Sequence, residues 1–254
     1  MKNRHQPFTG SEKDLCDMFR EAAATCGWTV YPETSGWDMI AIKKDTSDGE
    51  ISIGIQAKLK YCFRVLEQVL ENRSQVHYRA IVVPYIDDKS IAMALGIVPI
   101  SMCDGNMMGI VSDYGKFSET HGLSFFTPVD TPAWLPDICP EWEPAGVPGP
   151  RTINRWTQDA IKFLAESELS GVTTTSLFKK FKMTPSTWIK LGWAKKIRKD
   201  GRGWIYQLCN SGYAARPDVK HPEYYAKMFQ KIKEERTKNE RCEECPRMQS
   251  ITTA

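Results

Sequence analysis

Four side chains in the first quarter of the chain, Glu12, Asp38, Gln56 and Lys58, have the types and spacing for metal-assisted phosphodiester hydrolysis. Mg²⁺, or Mn²⁺ as its substitute, takes hard oxygen ligands. Asp38 offers a carboxylate and Gln56 a side-chain carbonyl, and the backbone carbonyl of Ala57 can add a third oxygen. An ammonium at Lys58 can hold or activate an attacking water and offset charge on a phosphate. Gln56 brings oxygen without charge. A divalent cation would therefore meet a single carboxylate unless Glu12 joins.

The elements that must position these groups are a helix and a hairpin. Ser11 reads as a helix N-cap with Asp14 three residues on, followed by Leu15, Phe19, Ala22, Ala23 and Cys26 at helical spacing and by Gly27 as a stop. Glu12 lies near that apolar face, where it either points into a site or suits the helix dipole. Trp37 to Ile42 reads as a strand, and Asp48-Gly49 is a turn signal. From Ile51 to Leu59 the pattern alternates. Ile51, Ile53, Ile55, Ala57 and Leu59 fall on one face, and Ser52, Gly54, Gln56 and Lys58 on the other. A bland alternative stays open: a plain amphipathic hairpin with Asp38 as a turn-flanking acid and Lys58 as a solvated charge.

Asp38 followed by Gln56-Ala57-Lys58 at the end of the next strand resembles the motif of the PD-(D/E)XK, restriction-endonuclease-like, nuclease superfamily. Glu12 matches the acidic residue that such proteins often carry on the preceding helix. Trp37 stands where the motif name has proline, and Gln56 where the usual member has an acid. The resemblance spans about residues 10–105. It implies an α/β fold with a mixed sheet flanked by helices, a Mg²⁺ site on Glu12, Asp38 and Gln56, and a catalytic role for these three and Lys58. The element order agrees with it. Phe63 to Gln75 reads as a helix with Phe63, Leu66, Val69 and Leu70 inward. Arg79 to Tyr85 reads as a doubly buried strand, Ser90 to Gly96 as a short helix and Ile97 to Met102 as a strand. Strand pieces are expected at Met107–Val111 and Leu123–Phe126.

Composition sets the frame. Hydrophobic content of 41% and charge of 26% are ordinary for a globular chain. No apolar run reaches membrane length and the polar N-terminus is not a signal peptide, so a cytoplasmic or nucleoid-associated protein is expected, without a membrane partner. Eight cysteines without scaffold spacing fit reduced thiols. The four histidines are isolated, and no phosphate-binding glycine loop occurs. Residues 151–254 carry 21 Lys and Arg against 11 Asp and Glu, a net of +10, while residues 1–126 have a net of −3 from 13 bases and 16 acids. Such asymmetry suits a polyanion partner, most often nucleic acid.

The chain divides into a nuclease-like domain at 8–126, a Pro-rich linker at 127–150, a basic domain at 151–210 and a charged helical tail at 211–254. Trp134 and Trp142 suggest that the linker packs against something. In the basic domain, Ile153, Trp156, Ala160, Phe163 and Leu164 mark one helix. Thr175 to Phe181 makes a second, and Pro185 to Leu191, after the cap Thr184, a third. Two short strands surround Asp200-Gly201-Arg202-Gly203. Three helices and a hairpin resemble a winged helix, in which the third helix enters the major groove. That implies groove contacts for Ser186, Thr187 and Lys190, phosphate contacts for Lys195, Lys196, Arg198, Lys199 and Arg202, and DNA as partner, with Lys179 and Lys180 on the basic surface. The bland alternative is a unit that packs or binds protein. Cys242 and Cys245 form a lone C-x-x-C, read as free thiols rather than zinc ligands. The expected function is a metal-dependent DNA endonuclease, possible as a homodimer or with a partner protein. The alternative is a DNA-binding or interaction protein that kept this fold without catalysis.

Overall fold

The computed structural model describes residues 8–46, 49–72, 75–86, 88–102, 129, 132–141, 143–146, 153–209 and 215–249, with side chains left aside at 45, 46, 49 and 240–249. The expected strand pieces at Met107–Val111 and Leu123–Phe126, the turn residue Asp48, and the thiols of Cys242 and Cys245 lie outside this description. The chain forms two compact units, Met1–Thr152 and Ile153–Ala254.

The first unit is a mixed α/β structure. Helix α1 (Glu12–Thr25) starts on a capping box, in which the Ser11 side chain accepts from the Asp14 amide while the Asp14 carboxylate accepts from the Ser11 amide. Such a cap is worth about 1 kcal/mol. Gly27, at φ +78°, turns the chain out of the helix. The sheet then runs in the order β1-β2-β3-β4-β5, with β1 (Thr29–Thr34), β2 (Trp37–Thr46) and β3 (Gly49–Ala57) antiparallel. Strands β4 (Tyr78–Val83) and β5 (Val98–Ser101) continue in parallel. Helices α2 (Phe63–Glu71) and α3 (Ser90–Ala94) supply the crossovers. Antiparallel strands need only tight turns, and parallel ones need such connections.

Both faces of the sheet are covered. Ile51, Ile53, Ile55 and Ala57 of β3 pack with Leu15, Phe19 and Ala23 of α1. On the other face Trp37, Ile40 and Ile42 pack with Val65, Leu66 and Val69 of α2. β4 is buried along its whole length, as a strand covered on both sides must be. The alternation of β3 holds through Ala57. Leu59 lies past the strand end and is exposed. Phe63 opens α2 and is 70% exposed, and Val65 takes the inward position expected of it.

The described part of the Pro-rich segment lies against the first unit. Ala133 donates its amide to the Gln75 carbonyl, the Trp134 carbonyl accepts from Ser35 Oγ, and Arg20 donates to the carbonyls of Glu141 and Glu143. Ala145 is fully buried in the α1 core. Proline suits such a segment, because its bonds to the core come from separate side chains and loop amides rather than from a continuous ladder.

The second unit holds α4 (Arg155–Ser170), β6 (Thr173–Thr174), α5 (Thr175–Lys180), α6 (Pro185–Lys190), β7 (Ala194–Asp200), β8 (Gly203–Leu208), α7 (Pro217–Lys220) and α8 (Pro222–Gln249). The strands form an antiparallel sheet in the order β6-β8-β7. Its core is aromatic. Phe163, Phe178, Trp188, Trp193 and Tyr206 are buried, with Phe163 4.5 Å from Phe178 and 4.7 Å from Trp188 between ring centroids. Trp156, expected on the inner face of α4, is 47% exposed. α8 packs on α4 through the buried Tyr224, whose hydroxyl donates to Gln158 Oε1 at 2.7 Å, and through Met228. It runs to Gln249, within the segment expected to be a charged helical tail.

Candidate active site

The site begins with a turn and a reversal in β2. Ser35 (φ +52°) and Gly36 (φ +83°) make a two-residue hairpin turn with both residues left-handed, the geometry that matches strand twist. Beyond it, Trp37 and Met39 are two residues apart yet pack on opposite faces of the sheet. The chain therefore turns over at Asp38, and the facing Glu33 sits at φ +43°. The indole of Trp37 lies across Gly54, where any Cβ would come within 2.4 Å of the ring. Only glycine fits there. This wedge and the reversal carry Asp38 to the end of β3, where its Oδ2 accepts from the Ala57 amide at 2.8 Å.

Three of the four expected residues converge. Lys58 Nζ donates to Glu12 Oε2 at 2.9 Å and lies 3.6 Å from Asp38 Oδ2. Glu12 is the first residue of α1, so the capping box fixes the helix end that carries it. The Lys58 amide donates to the Val82 carbonyl at 2.9 Å, which anchors the residue to β4 after β3 has ended. The fourth residue is turned differently. Gln56 is buried, and its Nε2 donates to the Gly36 carbonyl at 2.9 Å, an acceptor shared with Asn72 Nδ2 at 3.2 Å. Its nitrogen is thus committed to the β1–β2 turn, and Oε1 is the atom with lone pairs to offer.

The electrostatics are those of a strained cluster. Burial is the largest influence on Asp38 and lifts its carboxyl above the ordinary value, against the pull of the Ala57 amide and the Lys58 ammonium. Burial also works against the charge on Lys58, but the hydrogen bond to Glu12 and the charges of Asp38 and Glu12 outweigh it and leave the ammonium harder to deprotonate than usual. Lys58 and Glu12 keep about a third of their side-chain surface, and so exposed a pair stabilises a fold by about 1 kcal/mol at most. An ionised Asp38 costs stability, so folding alone does not explain the cluster.

Among the described residues no three His, Cys, Asp or Glu side chains converge as a metal group. A cation held here would meet the two carboxylates of Glu12 and Asp38 and would need neutral oxygens, such as those of Gln56, Ala57 and water, to complete its shell. All are hard oxygens, so the donor set suits Mg²⁺ in kind. The Lys58 ammonium between the carboxylates marks where positive charge is favoured.

Residues outside the motif support the site. Glu33 Oε1 accepts from the Gly146 amide at 2.7 Å. Gly146 has φ +70°, and a Cβ on it would come within 3.1 Å of the Glu12 backbone. The Pro-rich segment thus braces the start of α1. The Ser35-Gly36 dipeptide is the local signal that could have placed this turn; the contacts of Gly146 and Asn72 come from distant chain and leave no local signature. Buried Cys16, one turn after Glu12, has its thiol pushed up to about 12 by burial and then by nearby acids, Asp38 first. A thiol so hard to ionise is a poor nucleophile.

In the second unit Lys179, Lys180, Ser186, Thr187, Lys190, Lys195, Lys196, Arg198, Lys199 and Arg202 are all exposed. Lys180 pairs with Glu166 at 3.1 Å, and Arg236 binds the same carboxylate. Cross-strand register separates the hairpin cations by face. Lys195 and Arg198 stand opposite Gln207 and Ile205, while Lys196 and Lys199 stand opposite Tyr206 and Trp204. No protein-family model, curated protein or solved structure matches the chain.

Proposed function

We propose that the chain is a metal-dependent DNA endonuclease of the restriction-endonuclease-like kind, with a winged-helix-like basic unit that positions DNA. One observation carries the reading: the Lys58 ammonium sits against the carboxylates of Glu12 and Asp38 at the end of a central strand. Glu12, Asp38, the Gln56 side-chain oxygen and the Ala57 carbonyl would hold Mg²⁺. The bound cation would neutralise the scissile phosphate and make a water ligand more acidic.

The chain's own groups do the rest. Asp38 is held rigidly by the Ala57 amide, so its carboxylate needs little reorganisation. The Glu12 and Asp38 carboxylates favour the protonated form of Lys58 before a cation is bound. As an ammonium it would donate hydrogen bonds to water and to phosphate oxygens. The proton acceptors within the cluster are the two carboxylates. The basic hairpin and α6 contribute phosphate and groove contacts that set DNA register.

Calorimetric titration of the whole chain with Mn²⁺ tests the assignment. Wild type is expected to bind with a dissociation constant of about millimolar or tighter, and Asp38→Ala to lose that binding. If wild type binds no Mn²⁺ yet still shifts DNA on a gel, the fold is a DNA-binding module and the enzyme reading falls. The committed Gln56 amide is the feature that favours that second reading.

A further inference from the structure

We infer that the hairpin of the second unit carries a stacking platform for an unpaired base, centred on Trp204, so that the preferred substrate has a single-stranded segment. The inference rests on the nucleic-acid-binding reading of this unit and names the substrate class. Trp204 is a large apolar side chain left 37% exposed on the strand next to the most basic stretch of the chain. Tyr206, two residues on along the same strand, is buried, so the aromatic face of the strand runs from the core out to the partly open indole.

The surroundings suit a nucleotide. Lys196 Nζ lies over one face of the Trp204 ring, 4.8 Å from its centroid, and Lys199 is its direct cross-strand neighbour, so a base stacks on the opposite face or takes the place of the ammonium, which then turns to the phosphate. A base stacked on the indole would have its phosphates within reach of both ammonium groups. A positively charged track with an aromatic face is how proteins hold single strands, because every base has a π-face and every nucleotide a phosphate. Duplex DNA keeps its bases stacked on each other and offers such a ring no face.

The platform is also held in place. The Trp204 amide donates to Thr175 Oγ1 at 2.9 Å, and that hydroxyl donates back to the Trp204 carbonyl at 3.4 Å. Thr175 is the first residue of α5, so the indole is carried on backbone tied to the helical core. A preorganised ring loses little freedom on binding. The chemistry of a partner that fits is a polyanion with exposed aromatic rings, which is single-stranded DNA rather than an acidic peptide.

Fluorescence polarisation with the full chain in EDTA separates the possibilities, since no cleavage intrudes. The probes are a labelled oligothymidylate, an abasic oligonucleotide of the same charge and a blunt duplex. Wild type is expected to bind oligothymidylate about tenfold more tightly than the abasic strand. Trp204→Ala is expected to erase that difference and leave duplex affinity within about twofold, and Trp204→Phe to keep most of it. The wild-type comparison needs no variant to fold. Equal affinity for the abasic strand and oligothymidylate overturns the stacking platform, as does a Trp204→Ala chain that still distinguishes them. Failure of wild type to bind any of the three probes at low salt overturns the DNA reading of this unit along with it.

Discussion

Asp38→Asn is expected to abolish DNA cleavage and, at the same time, to raise the thermal midpoint at neutral pH. The two effects have one cause. Burial raises the Asp38 carboxyl above its ordinary value of 3.8, so the native state holds this proton more tightly than the unfolded chain. For such a group, stability is greatest below the unfolded value and declines as pH rises through the folded one. At pH 7 the ionised carboxylate is therefore a net cost to the fold. Asparagine removes the charge and keeps an oxygen to accept from the Ala57 amide. Cleavage should fall by at least about 10²- to 10³-fold, the usual loss when one preorganised electrostatic contact to a transition state goes. Thermal melts across pH check the stability arm. The wild-type midpoint should decline relative to that of Asp38→Asn between pH 3.8 and the raised folded value. A lower midpoint for Asp38→Asn at pH 7 would show that the carboxylate stabilises the fold and is a structural partner of Lys58.

The second large effect lies in the basic hairpin. Lys195 and Arg198 share the face opposite Trp204, so their charge can be removed without touching the stacking ring. Each phosphate neutralised by a cation contributes a slope of about −0.9 in log K against log salt. Lys195→Gln with Arg198→Gln should flatten that slope for duplex DNA by about 1.8 and weaken binding about 100-fold at 50 mM salt. Polarisation across a salt series reads both quantities. An unchanged slope would mean that these two cations do not meet phosphates. Lys180 should matter less than its neighbours, because Glu166 already holds it.

Much of this was legible in the chain because it depends on local period. Strict alternation from Ile51 to Ala57 could only be a strand with an aliphatic face, and Ser11 with Asp14 could only be a helix start that carries Glu12. The unbroken apolar run from Ala80 to Val83 announced a strand covered on both sides. What stayed hidden depends on contacts between distant residues. A period of two predicts that Trp37 and Met39 share a face, and the Trp37–Gly54 wedge defeats it. Phe63 and Trp156 lie in the first turns of their helices, where the apolar stripe has not yet reached the core. Charged residues dominate α8, and only Tyr224, Met228 and Ile232, four residues apart, mark its buried stripe among the described side chains. The hydrogen bond from Gly146 to Glu33 and its close approach to Glu12 at the start of α1 join residues more than 100 positions apart.

Incubation of supercoiled plasmid with Mg²⁺ and either wild type or Lys58→Ala tests the central claim most directly. The account predicts nicked or linear product from wild type and intact plasmid from Lys58→Ala, with both chains still shifting DNA on a gel in EDTA. Equal cleavage by the two, or no cleavage by wild type in Mg²⁺ or Mn²⁺, would contradict it.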